Sequence, residues 1–340
     1  MKAVVYDKEK KLVLREVPMP EPGEGEVLIR VADCGFCGSD HSIIESESLQ
    51  DGVIVGHEVS GIAVEEGGGA QRGAPGNPVI IRPTWCGVCR DCRAGRPYLC
   101  QRDRRTIGLG DYPGGFAEYL KVDRRMLIPV PEGVDSQNAA LAEAFAASLH
   151  GIRVSGREGG SALVIGGGAI GLALVRLLAL MGFGPIVLSE PVKGKRDLAC
   201  SLGAHDTIDP VEENALLEVM ELTGGCGFEA VFECSGANDA VGTAIGAAAN
   251  GGTVTIVSII MHNVEIMALA LNFKEICLKG SYSNTHEENI QCLQWMAEGK
   301  LDGRPLITDV IVLSDLPRVY DERIHAGKAI KVMIAIGDEF

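Results

Sequence analysis

Short runs in which apolar and polar positions alternate, or β-branched residues gather, fill the first third of the chain, at residues 3–6, 11–17, 26–32, 58–65 and 78–82. Gly and Pro turns such as Pro20-Glu21-Pro22-Gly23 and the stretch 67–78 separate them. A period of two between turn signals predicts strands, and a succession of short strands predicts an all-β, barrel-like unit. The period changes near residue 137, where residues 136–149 (SQNAALAEAFAASL) become Ala-rich and helical, with Ser136 placed to cap the helix. Strand-like runs at 162–165, 186–189, 230–233 and 253–260 then alternate with helix-like runs at 170–181, 196–202 and 237–249. That alternation predicts βαβ units, and so a doubly wound parallel sheet with helices on both faces. The tail departs from it: 286–298 reads as one helix, and 310–313 and 331–336 read as strands able to return to the first unit.

Charge narrows the function classes. The 340 residues carry 31 Lys and Arg against 46 Asp and Glu, a formal charge of −15, which argues against a nucleic-acid or anionic-membrane partner. With 46% hydrophobic and 23% charged residues the composition is that of a globular protein, and the length suits two domains. The first 15 residues alternate and carry charge, with no apolar signal core, and no stretch of membrane-spanning length is free of charge. A cytoplasmic chain is expected. Thiols stay reduced there, so the eleven cysteines point to metal or catalysis rather than disulfides.

Gly166-Gly167-Gly168-Ala169-Ile170-Gly171 fits GxGxxG. It follows the strand-like SALVI and opens the helix-like LALVRLLALM, which puts backbone N–H groups and a helix N-terminus where a pyrophosphate can sit. Glu190 ends the next strand, 19 positions after Gly171. A carboxylate there accepts from the adenosine ribose hydroxyls and repels a 2′-phosphate, favouring NAD over NADP. Lys193, Lys195 and Arg196 lie just beyond and could instead hold a 2′-phosphate, and a structural glycine turn beside a solvated acid is the plain alternative. Cys234-Ser235-Gly236 and Val257-Ser258-Ile259 end later strands, and the carboxyl ends of such strands line the ligand crevice, so these residues are expected to flank the cofactor.

Cys86, Cys89, Cys92 and Cys100 form CxxCxxCx7C. Four thiolates so close can close a tetrahedral shell and leave no open position, as a structural zinc requires, with an iron–sulfur centre or four unligated thiols as alternatives. A second set is dispersed: Cys37 in CGFCGSDH, His57 and Glu58 in VGHEVSG, and Glu143 in AEAFAASLHG. One thiolate, one imidazole and one or two carboxylates would hold zinc with a position left for substrate. Each also has a duller reading, as a buried thiol, a satisfied histidine or a solvated acid.

CGxCGSD, GHExxG, the four-cysteine lobe, GGFAEY at residues 114–119, the AE helix and GxGxxG, in this order over nearly the whole chain, resemble the zinc-dependent medium-chain alcohol and polyol dehydrogenases. Within them the chain is most similar to the sorbitol, threonine and butanediol dehydrogenase branch, where Glu follows the ligand His. The resemblance implies a GroES-like catalytic domain, residues 1–148 and 284–340, split around a Rossmann NAD-binding domain, residues 149–283. It implies two zinc ions per chain, NAD, and a homo-oligomer, with a tetramer preferred. Carried over by position, Cys37, His57 and Glu58 are ligands of the catalytic zinc, and Glu143 binds the metal or its water. Ser39 passes the alcohol proton towards solvent, Asp40 orients His57, and Phe116 walls the substrate pocket. Cys34 is a structural thiol.

Departures from the family pattern fall at the substrate end. The relay histidine usually stands two positions after the Asp of CGxCGSD, but here the order is Asp40-His41-Ser42, so His41 points elsewhere or relays differently. Only 20 positions separate Cys37 from His57, across an acidic loop shorter than the branch usually carries. Where sorbitol dehydrogenases hold the polyol with an Arg-Tyr pair, this chain offers Ser281-Tyr282, which makes Tyr282 a pocket candidate. The expected substrate is a secondary alcohol or vicinal diol, oxidised to the ketone. A zinc-free NADPH quinone or enoyl reductase, or a non-catalytic NAD-binding protein, would leave the metal-type residues unexplained.

Overall fold

The computed structural model describes residues 1–67, 76–108, 112–212 and 215–340. Most of the turn stretch 67–78 lies outside the described residues. The chain divides into two compact units, Met1–Glu143 with Thr285–Phe340, and Ala144–Asn284.

The first unit opens with the antiparallel pair β1 (Lys2–Asp7) and β2 (Lys11–Glu16). Strand β3 (Glu26–Phe36) leads into helix α1 (Gly38–Glu45), followed by β4 (Glu58–Glu66), β5 (Pro78–Ile81), a one-turn helix α2 (Arg90–Arg93), β6 (Tyr119–Asp123) and β7 (Leu127–Pro129). Helix α3 (Ser136–Ser155) crosses into the second unit. Its cap is Asp135 and not Ser136, since the Asp135 carboxylate accepts from Asn138 N at 2.8 Å. Ser136 is instead the first helical residue, buried, with its carbonyl accepting from Ser60 Oγ at 2.7 Å.

The second unit alternates β8 (Ala162–Ile165), α4 (Ala169–Leu180), β9 (Ile186–Ser189), α5 (Lys193–Leu202), β10 (Asp206–Ile208), α6 (Ala215–Leu222), β11 (Phe228–Glu233), α7 (Ala240–Ala247), β12 (Ala248–Ile256), α8 (Ala268–Lys274) and β13 (Cys277–Gly280). The strands form one parallel sheet in the order β10-β9-β8-β11-β12-β13. Strand order reverses between β8 and β11, and ligands bind at the carboxyl ends of strands at such a reversal. Helix α7 stops two residues before the sequence pattern does, because Ala248 and Ala249 already belong to β12, whose first residue pairs with Phe228.

After helix α9 (His286–Ala297), β14 (Ile307–Val312) and β15 (Lys331–Ala335) return to the first unit. They complete a sheet in the order β14-β15-β3-β4-β5-β7, with β6 also paired to β3. Strand β3 is central: it pairs antiparallel with β15, β4 and β6 and is buried along nearly its whole length. The half-buried alternation expected of it is absent because the unit packs on both of its faces. Gly61 on β4 is what lets the strands approach, since a Cβ there would lie 2.5 Å from the Arg30 carbonyl oxygen.

One polar position in this core is a liability. Asp33 on β3 is 1% exposed, with one carboxylate oxygen unpartnered. Burial raises its pKa from 3.8 to about 6, with Ser136 opposing and the charges of Glu339 and Asp135 adding to the rise. The folded chain therefore holds a proton that the unfolded chain releases between these values, so stability should fall as pH rises through that window and stay level above it. Asp33→Asn should remove this slope and stabilise the chain above about pH 6 by up to about 3 kcal/mol, with no gain below about pH 4. Denaturant unfolding of both forms across that range checks it.

Candidate active site and metal centres

Strand register builds the dispersed site. Residue Glu58 at the start of β4 pairs with Gly35 at the end of β3, and Cys37 follows one residue beyond β3 as the N-cap of α1. Gly35 is required there: a Cβ would stand 2.1 Å from a Glu58 carboxylate oxygen. One donor atom each from Cys37, His57 and Glu58 lies within 4.8 Å of the other two. Glu143 stands outside this set, although its charge acts on Lys331 beside it. Cys34 is buried, with its thiol on the Gly35 carbonyl.

Asp40, fully buried, organises the group. Its carboxylate accepts from Cys37 N at 3.0 Å, Gly56 N at 3.3 Å and His57 Nδ1 at 3.0 Å. With Nδ1 committed to Asp40, Nε2 is the ring nitrogen left for a ligand, and Ser39 Oγ lies 3.4 Å from it. Burial opposes charge on His57, yet its neighbours Asp40 and Cys37 outweigh it and raise its pKa well above the usual imidazole value. The surroundings thus favour a positive charge at the imidazole, which a proton or a metal ion supplies.

Lys331 was not singled out by sequence pattern. Its Nζ lies 2.5 and 2.6 Å from the two Glu58 oxygens and 3.2 Å from the Phe36 carbonyl, with both side chains buried. The available signal was a lysine opening the otherwise apolar strand KVMIA.

The four cysteines of the lobe converge as the spacing predicts. Their sulfurs are 3.4 to 3.9 Å apart for the Cys89–Cys92, Cys86–Cys100, Cys86–Cys92 and Cys89–Cys100 pairs. Tetrahedral zinc with Zn–S bonds near 2.3 Å sets sulfurs about 3.8 Å apart, so the donor set fits the metal and is far too open for disulfides. Backbone N–H groups of Val88 and Cys89 point at Cys86 Sγ, at 3.5 and 3.3 Å. Burial would raise the Cys100 thiol, but backbone hydrogen bonds at Cys86, Asp103 and Arg102 outweigh it and bring it down to about 6.

In the second unit the glycine turn lies at the strand-order reversal. Gly166 takes a positive φ of 100° and packs on Ser235, where a Cβ would come within 2.8 Å of its backbone nitrogen. A Cβ on Gly171 would strike the Gly166 carbonyl at 1.9 Å, whereas one on Gly168, the N-cap of α4, would meet nothing. Gly168 thus leaves space at the N-terminus of α4, the kind of position where the first N–H groups of a helix can donate to an anion. Glu190 is buried against the turn, accepting from Gly167 N at 2.6 Å and Val192 N at 3.0 Å.

Of the neighbouring cations, Arg196 is bound to Asp209 and to the Glu190 carbonyl, and Lys193 to Asp197. Lys195, on the first turn of α5, makes no side-chain hydrogen bond or ion pair among the described residues. Ser235 and Ser258 are joined through Glu233, a residue overlooked in the sequence because it closes an apolar strand. Its buried carboxylate accepts from Ser235 N and Oγ, Gly236 N and Ser258 Oγ, and its carbonyl accepts from Val257 N and Ser258 N. Ile259 is exposed.

The two pocket candidates fall in different units. Phe116 has no exposed surface and stacks on Phe36 at 5.5 Å in the core of the first unit. Tyr282 lies in the second unit and is half exposed. His41 turns to Tyr320, with Nδ1 3.1 Å from the phenol oxygen.

Family models agree with both halves of this description. One described as the alcohol dehydrogenase GroES-like domain matches residues 23–132, and one described as zinc-binding dehydrogenase matches residues 169–298. The L-threonine 3-dehydrogenase of Rhizobium etli strain CIAT 652 is 33% identical, over 98% of each chain. The (R,R)-butanediol dehydrogenase of Neisseria gonorrhoeae is 32% identical, over 98% of this chain and 99% of that one. Among solved structures, a zinc-binding dehydrogenase of Sinorhizobium meliloti 1021 bound to NADP has a TM-score of 0.89 at 33% identity, with 98% of each chain covered. With fold, donor sets and relatives in agreement, the chain belongs to the zinc-dependent medium-chain dehydrogenases. It is an oxidoreductase acting on CH–OH groups, of a family that uses zinc and a nicotinamide dinucleotide.

The buried Glu58–Lys331 pair gives a direct test of the site's construction. Lys331→Met should cost on the order of 3–5 kcal/mol in denaturant unfolding by stranding the Glu58 carboxylate, and Glu58→Gln added to it should recover most of that loss.

Proposed function

We propose that the chain oxidises a secondary alcohol or vicinal diol to the ketone, with NAD as acceptor and a catalytic zinc held by Cys37, His57 and Glu58. The observation that carries this reading is the convergence of a thiolate, an imidazole and a carboxylate around Asp40, with Ser39 at the imidazole edge. Bound zinc supplies a Lewis acid that lowers the pKa of the substrate hydroxyl, and nicotinamide accepts the hydride.

The protein's own groups do the rest. Asp40 fixes the His57 ring, and Ser39 Oγ receives the hydroxyl proton and passes it towards solvent. Lys331 balances the Glu58 charge, and Glu143 is the fourth group, holding the metal or a water on it. Cys86, Cys89, Cys92 and Cys100 hold the second, structural zinc. Gly166, Gly168 and Gly171 shape the pyrophosphate cradle, with Glu190 taking the adenosine ribose hydroxyls. Ser235, Val257, Ser258 and Ile259 flank the nicotinamide side, and Tyr282 serves the substrate. NAD is favoured over NADP because Glu190 faces the turn while Arg196 and Lys193 are paired, leaving Lys195 alone against a 2′-phosphate.

A cytoplasmic setting accords with the absence of disulfides among eleven cysteines and of any helix long and apolar enough to cross a membrane among the described residues. Exposed Met261, Met267, Leu269 and Phe273 support a homo-oligomer, a tetramer by family habit, with the second unit at the interface.

The test is formation of reduced cofactor against secondary alcohols, vicinal diols, threonine and sugar alcohols, each with NAD and NADP. Turnover of one class with NAD preferred is expected, and a preference for NADP would overturn the Glu190 assignment. Cys37→Ala should abolish turnover while NAD binding measured by calorimetry persists; a Cys37→Ala enzyme with most of its activity would refute the zinc site. Asp40→Asn should lower zinc affinity or activity by about 10–100-fold.

A further inference from the structure

A third group of metal-type side chains lies in the first unit and shares no residue with either zinc set. His41 and Glu45 stand one helical turn apart on α1, so they share a face. His325, just after the chain's Tyr320–Ile324 turn, comes up beside them. One donor atom from each of the three lies within 4.8 Å of the other two. The imidazole rings of His41 and His325 are 5.6 Å apart and nearly edge to face, and His325 Nδ1 is 3.7 Å from Glu45 Oε1.

Tyr320 braces the group from beneath. Its hydroxyl donates to Glu45 Oε1 at 2.7 Å and lies 3.1 Å from His41 Nδ1, while its ring, almost wholly buried, packs on Phe36 at 5.8 Å. A buried hydroxyl bridging a carboxylate and an imidazole fixes both, as outer groups do at metal sites. Burial lowers the His41 pKa, the nearby Glu45 charge opposing and that of His325 assisting. Lys11 approaches only the other carboxylate oxygen, Glu45 Oε2, at 3.8 Å. Two imidazoles and one carboxylate suit zinc, nickel, cobalt or copper and do not suit magnesium or calcium.

We propose that His41, Glu45 and His325 form a third metal site, half exposed, that takes a divalent transition-metal ion and ties α1 to the chain's last helical turn. Neither resident zinc set shares a residue with it. The ion would bind at the far end of the helix that carries Ser39 and Asp40, and through Tyr320 and Phe36 it would bear on the segment that presents Cys37.

The experiment titrates Zn²⁺ into the zinc-loaded full chain in a non-chelating buffer, by calorimetry with metal analysis, for the native protein, His325→Ala and Glu45→Gln. The native chain should bind one equivalent more than either variant, whatever the number of resident ions. The added ion should raise the melting temperature of the native chain and not of the variants. Equal stoichiometry in the native chain and both variants would overturn the proposal, as would an extra equivalent that survives both substitutions. His325 and Glu45 lie at the surface, so unchanged melting of the variants before titration shows that a lost equivalent is a lost ligand.

Discussion

A lysine and a glutamate, both out of water and 273 positions apart in sequence, set the terms for the first unit. Either charge alone in that interior would be costly, so each fixes the other's strand. Glu58 starts β4, Lys331 starts β15, and between them β3 runs with Gly35 emptied of a side chain to admit the carboxylate. The metal-type residues inherit their positions from this arrangement. Cys37 emerges where β3 ends, His57 where β4 begins, and Asp40 draws the two together through three hydrogen bonds on one buried carboxylate.

The nucleotide half relies on the same device. Here too buried carboxylates, Glu190 and Glu233, do the ordering, but they are satisfied by backbone N–H groups and hydroxyls where Glu58 has a cation. Each lies at the carboxyl end of a strand, where the loops that follow must be held open for a ligand. Glycine then sets how near those loops come to one another: Gly166 allows contact with Ser235, and Gly168 leaves space.

Much of this was legible in the sequence. The four-cysteine lobe and the glycine turn are local, so spacing alone determined what could meet, and the βαβ order followed from the change of period. Cys37, His57 and Glu58 needed the family resemblance, because only strand register brings them together. Helix α1 was read as an acidic loop: GSDHSIIE has little apolar pattern, and its start is set by Asp40 bonding back to Cys37. Lys331 and the His41–Glu45–His325 group escaped because each acquires its role from a partner far away in the chain, whereas Glu233, bound to its near neighbours Ser235 and Gly236, was hidden by closing an apolar strand.

The insertion of the second unit between the two segments of the first also sets an order of synthesis. By the time residue 284 has been made, the second unit has every strand of its sheet, while β3 still lacks its neighbour β15 on one edge. That edge, with its unpaired backbone groups, stays open until β15 has been made. The nascent protein is thus a finished second unit attached to an unfinished first sheet, and the window in which a chaperone can act on it closes only once β15 has paired.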